Sequence, residues 1–72
     1  MSMIFSKKRM VARLKAEGRG DEIGDEANKV MDNLDGQPAS TMNWQRMVHG
    51  EPLLWCTGKD GKGYYVNEAD CI

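Results

Sequence analysis

The sequence predicts an α+β domain in which a two-helix hairpin packs on a three-stranded antiparallel β-meander, in the order ααβββ. Three observations carry this. Two gap-free amphipathic segments occupy the first half of the 72 residues. From Thr41 onward the apolar period shortens and β-branched and aromatic residues take over. Two glycine turn signals, Gly50-Glu51 and Asp60-Gly61, then divide that half into three short runs.

The first segment, about residues 7–17, holds neither Gly nor Pro and places Met10, Val11 and Leu14 on one side. Ser6 is set to cap its start and Gly18 to end it in a left-handed conformation. Lys7, Lys8 and Arg9 oppose the helix dipole on the first turn. Either the helix begins earlier, near Ser2, or those charges have partners. The second segment, about 24–34, spaces Ile23, Ala27, Val30, Met31 and Leu34 along one face. Asp21 or Gly24 can cap it, Asp25 and Glu26 suit its positive end, and Asp35-Gly36 closes it. Gln37 to Ser40 reads as a linker.

Strands are expected at about 42–49, 52–57 and 63–67. Two-residue turns at Gly50-Glu51 and Asp60-Gly61 would set Arg46 opposite Trp55 and Trp55 opposite Val66. Trp44, Val48, Leu53, Trp55, Tyr64 and Val66 then share the face covered by the helices. Arg46, the one charge on it, is expected to lay its guanidinium on an aromatic ring. The tail Glu68 to Ile72 is either one helical turn or irregular.

A chain of this length holds one domain, and two cysteines are too few for the disulfide framework of small secreted proteins. No uninterrupted apolar stretch resembles a secretory signal or a membrane span, so a cytoplasmic protein with free thiols is expected. The net charge of −1 conceals an asymmetry. Lys7, Lys8, Arg9, Arg13, Lys15 and Arg19 face only Glu17 in the first 19 residues, and six acids face only Lys29 in the next 17.

No catalytic, cofactor or metal constellation is legible, and a non-enzymatic protein is expected. His49 is the single histidine and borders a turn. His49, Cys56 and Cys71 together are one ligand short of a structural zinc site. Gly58 to Gly63 has the glycines of a phosphate loop without its terminal Lys-Ser/Thr or its following helix. On the basic helix, Lys8, Arg9, Arg13 and Lys15 spread opposite Met10 and Leu14, as either a phosphate-contacting or a merely solvated face. Four such contacts support at most weak, sequence-independent nucleic-acid binding.

The strings Ser6-Lys7-Lys8-Arg9-Met10, Arg13 to Arg19, Met31 to Gly36, His49 to Pro52 and Val66 to Asp70 resemble short proteins of bacteriophages and mobile elements of Gram-positive anaerobes. The resemblance spans nearly the whole chain and implies a small accessory or interaction protein. It implies no site residues.

The function expected is therefore that of a protein-interaction or accessory module, with a partner protein or a second copy as its target. The expected register leaves Met47, Leu54, Cys56 and Tyr65 on the sheet face that the helices do not reach. An apolar cluster there is a candidate partner surface, unless Met3 to Phe5, the Gln37 to Ser40 linker or Ile72 folds over it.

Overall fold

The computed structural model describes residues 3–40, 46–48 and 51–72, with the backbone alone for 46–48, 51 and 52. The elements run β1 (Met3–Ile4), α1 (Lys7–Ala16), α2 (Asp25–Leu34), β2 (Pro38–Ser40), β3 (Arg46–Val48), β4 (Glu51–Thr57) and β5 (Gly63–Asn67). Short 3-10 turns lie at Gly20–Glu22 and Glu68–Asp70. The class is α+β, with two helices and an antiparallel sheet.

Both helices form where the apolar period places them. The Ser6 hydroxyl accepts the Arg9 N–H at 3.3 Å and caps α1, and Gly18 takes φ +73° beyond its end. Of the cations on its first turn, Lys7 and Arg9 have partners, whereas Lys8 makes no ion pair among the described residues. The Lys7 ammonium donates to Asp32 at 2.7 Å, and the Lys7 N–H donates to Asp35 Oδ1 at 2.9 Å. On α2, Asp25 and Glu26 occupy the first turn and Gly36 follows the helix at φ +79°. Lys59, arriving from the distant hairpin, donates at 2.8 Å to the carbonyls of both Asp32 and Asp35. It thereby satisfies acceptors at the negative end of α2.

The sheet is larger than a meander of three. Its five strand segments occupy four positions, because β2 and β3 lie on the same edge of β4, opposite β5. Ala39 and Ser40 pair with Cys56 and Trp55, whereas Arg46, Met47 and Val48 pair with Leu53, Pro52 and Glu51. Residues expected to be linker thus form β2, with Pro38 at its first position, where a missing N–H is tolerated. Outside β2 runs β1, and outside that the C-terminus, where Ile4 and Ile72 exchange both backbone hydrogen bonds at 3.1 and 2.8 Å. Of the strand expected at 42–49, residues 42–45, with Trp44, and residue 49 lie outside the described ones.

Register is where expectation and structure part. Leu54 pairs with Val66, Trp55 with Tyr65 and Cys56 with Tyr64, one residue from the expected pairing. The reason lies in the hairpin loop. Gly58 N–H donates to the Lys62 carbonyl at 2.8 Å and Gly61 sits at φ +86°. That encloses three residues, 59–61, with glycine in the left-handed position that a three-residue hairpin requires. A slip of one exchanges the faces of a strand. Accordingly Leu54 and Cys56 are 0% exposed and belong to a core with Phe5, Met31, Leu34, Ala39, Val66 and Cys71. Trp55 and Tyr65 lie on the opposite face. At the first hairpin, Val48 pairs with Glu51, which puts Arg46 opposite Leu53 rather than Trp55. The Arg46 side chain, expected to lie on an aromatic ring, is outside the described residues.

One ion pair ties α1 to the tail. Asp70, 1% exposed, accepts from Arg13 Nε at 2.7 Å and from Nη2 at 3.0 Å. Removing one member of a buried pair leaves the other charge uncompensated, which costs about 3 kcal/mol or more. That is a large share of the roughly 4–11 kcal/mol expected of a chain this size at ~0.05–0.15 kcal/mol per residue. Urea denaturation of Arg13→Ala should show a loss of about 3 kcal/mol, and the double variant Arg13→Met/Asp70→Leu should recover much of it.

Candidate functional site

Of the four residues expected to form one partner surface, the structure brings two into the core and one to the outer face. Leu54 and Cys56 are buried against Phe5, Ala39 and the helices, so they are not available to a partner. Tyr65 is 41% exposed on the other side of the sheet. Met47 pairs with Pro52 in the backbone, and its side chain lies outside the described residues. The segments that could have folded over this face do so in part. Phe5 and Ala39 join the core beside Leu54, whereas the Ile72 side chain is exposed.

The basic helix is largely engaged with its own fold. Arg13 holds Asp70, and its Nη1 also donates to Glu17 at 3.2 Å. Together these carboxylates raise the Arg13 pKa further above its ordinary value. Arg9 Nε donates to the Ala69 carbonyl at 3.4 Å. Lys8 and Lys15 are exposed and make no ion pair among the described residues. With Lys7 and Val11 they border a shallow, open surface rather than a pocket. Arg13, central to the expected phosphate footprint, is committed elsewhere.

A cleft of about 320 Å³ opens between α1, α2 and β5, with walls that include Met10, Ala27, Val30 and Tyr64. Its size is at the low end for small-molecule sites. The charged groups at its margin, Arg13 and Asp70, already satisfy one another. No cluster of three potential metal-ligating side chains occurs among the described residues.

The outer face of the sheet carries the other candidate, for which the sequence placed Tyr65 outside and Trp55 on the helix-covered side. Trp55 and Tyr65 are a cross-strand pair on β4 and β5. Their ring centroids are 5.1 Å apart with the planes inclined at 76°, an edge-to-face arrangement. The indole lies across Gly63, where a Cβ would collide with its six-membered ring. Glycine on β5 thus makes room for the indole, against which Tyr65 packs edge to face. The indole N–H makes no hydrogen bond among the described residues, and it remains accessible, since no buried side-chain polar atom lacks a partner. The sequence did hold a signal for this corner: a glycine diagonal to a tryptophan across a hairpin. Reading it required the loop length.

Compared with protein-family models, curated proteins and solved structures, the chain matches none. No helix among the described residues is long and apolar enough to cross a membrane. The description that stands is that of a small α+β domain with a Trp55–Tyr65 pair on the sheet face opposite its two helices.

Gly63→Ala should cost about 1–3 kcal/mol in thermal or urea unfolding, because the added methyl must displace the Trp55 ring. The thiols give a second expectation. Burial raises the pKa of Cys56 and, aided by neighbouring negative charge, pushes that of Cys71 up to about 11. Ellman's reagent should therefore label both thiols at once in denaturant and only at the rate of opening in the folded chain. An unfolded thiol releases its proton from about pH 8.5, whereas folded Cys71 retains it. The fold then binds more protons than the unfolded chain, so stability falls as pH rises from about 8.5 towards 11. Urea midpoints across that window should fall less steeply for Cys71→Ala.

Proposed function

We propose that the chain is a non-enzymatic protein-interaction module whose contact surface is the outer face of the sheet around Trp55 and Tyr65. A single observation carries this reading. Two large aromatic side chains sit on the sheet face opposite the helices, one of them 41% exposed, although a domain of this size has few aromatic residues to fill its core. Exposed Tyr and Trp are the residues that most often anchor protein interfaces, because they bury a large rigid area at little entropic cost. The target is a partner protein or a second copy. The resemblance to phage and mobile-element proteins supports an accessory role in the cell interior.

Immobilised wild-type chain should retain a partner from its own cell extract that the Tyr65→Asp chain does not, with circular dichroism showing both variants folded. Should the partner be a second copy, sedimentation at millimolar concentration should show a dimer that Tyr65→Asp abolishes. Equal capture and equal sedimentation of the two chains would overturn the reading.

A further inference from the structure

The exposed side of α1 carries a second surface, separate from the Trp55–Tyr65 face and used neither by the core nor by the tail. On any helix, positions i, i+3, i+4 and i+7 surround one shallow hole, the unit that receives a side chain of a neighbouring helix. Lys8, Val11, Ala12 and Lys15 stand at that spacing, and all four border one open depression. Val11 and Ala12 are its floor. Val11 is half-buried and packs against the core, whereas Ala12 is exposed, so the floor is fixed and still reachable.

Charge separates this hole from an ordinary helix surface. At its margin, Lys7 is already engaged, its ammonium donating to Asp32 and its N–H to Asp35. Lys8 and Lys15 are exposed and form no ion pair among the described residues. Lys8 lies on the first turn of α1, which holds no acidic residue to offset the helix dipole. A carboxylate brought to Lys8 from outside answers both the ammonium and the dipole.

Spacing decides the form of the partner. Seven residues apart on one helix, the two lysines lie about 10 Å from each other along the axis and nearly in line. A strand does not match this, because side chains on one of its faces recur at about 7 and 13 Å. A second helix with carboxylates seven residues apart does match, and the apolar side chain between them then enters the hole. A bilayer is served less well, since Val11 and Ala12 offer no large apolar side chain to insert. Nucleic acid is served less well too, since Arg13 is held by Asp70 and the lysines flank an apolar floor.

From this geometry we infer that the Lys8–Lys15 face of α1 docks an acidic amphipathic helix of a partner protein. That helix carries carboxylates at i and i+7 and a leucine-sized side chain between them. The apolar side chain packs on Val11 and Ala12, and the carboxylates meet Lys8 and Lys15.

The test is an NMR titration of the ¹⁵N-labelled full chain at low salt. The probe is a three-heptad helical peptide with Glu at every seventh position and Leu three residues after each. A peptide with Lys for Glu, one with Ala for Leu, oligo-dT and phosphatidylglycerol vesicles are the comparisons. The acidic peptide should shift the amides of 7–16 in a saturable manner, and the comparisons should not. Lys8→Glu/Lys15→Glu should weaken binding about tenfold, the equivalent of two exposed ion pairs, and should bind the Lys peptide instead. Loss of structure does not produce that exchange of preference. Ala12→Gln, which fills the hole without changing charge, should weaken binding severalfold, and Tyr65→Asp should leave it unchanged. Absence of any shift at several millimolar acidic peptide overturns the inference. So does an equal response to the Ala-for-Leu peptide, undiminished binding by the charge-reversed chain, or a response to oligo-dT or vesicles alone.

Discussion

The constraint on which this molecule depends is the length of the loop between β4 and β5. Three residues, closed by Gly61 in the left-handed region, fix Leu54 against Val66 and Cys56 against Tyr64. A loop one residue longer or shorter would leave both strands intact and reverse the side of the sheet that one of them presents. Everything else follows from that choice. Leu54 and Cys56 become the sheet's contribution to the core, and Trp55 and Tyr65 are displaced to the opposite face, the first half-buried and the second exposed. The loop is itself held in place, since Asn33 exchanges hydrogen bonds with Asp60 at 2.9 and 3.0 Å and Lys59 reaches the end of α2. Those bonds also draw the Asp60 pKa below its usual range. Helix and hairpin therefore position each other.

Charge plays the corresponding part at the other end of the fold. The basic first segment and the acidic second one look like two opposed patches when counted along the chain. In three dimensions much of that asymmetry is internal. Lys7 meets Asp32 across the helical hairpin, and Arg13 meets Asp70, which the tail delivers from the far end of the sequence. The exposed pairs contribute little individually. The buried one has a different role. With its carboxylate enclosed, it commits the Glu68–Asp70 turn to α1 and thereby guides Cys71 and Ile72 to β1. Of the residues of the expected phosphate-contacting face, Arg9 and Arg13 thus attach the helix to its own tail, while Lys8 and Lys15 stay exposed.

How much of this was legible in the sequence depended on how many residues each signal spans. The helices were read to within a residue or two because five apolar positions on α2, together with the Ser6, Gly18 and Gly36 caps, agree independently. Strand β1 has two residues and β2 has three, too few to show any period, and Pro38 argued for a linker. The Glu68–Asp70 turn owes its place to Asn67, whose side chain accepts the Ala69 N–H at 2.9 Å, and to a long-range ion pair that no local pattern announces. For the candidate site, the expectation of a partner surface on the helix-free side of the sheet led to the wrong residues on β4. Leu54 and Cys56 were exchanged for their neighbours because Asp60-Gly61 favours a two-residue turn as readily as it serves a three-residue one. Tyr65 was placed outside in both.

The half-buried tryptophan is best understood together with the glycine beneath it. Glycine inside a strand costs about 0.5–1 kcal/mol relative to alanine, and an aromatic ring left in water forgoes the burial it could have had in the core. Here each offsets part of the other's cost. Without a side chain, Gly63 lets the six-membered ring of the indole come close over the backbone of β5, while Tyr65 packs against the indole in an edge-to-face contact. The arrangement resembles the covering of sheet glycines by aromatic residues that steadies strand pairing. A purely structural role would be complete at that point. It does not use the indole N–H or the outward face of the ring, and a phenylalanine at 55 would serve it nearly as well. The indole N–H, which makes no hydrogen bond among the described residues, has no part in that packing, and the proposed interaction face takes its starting point there.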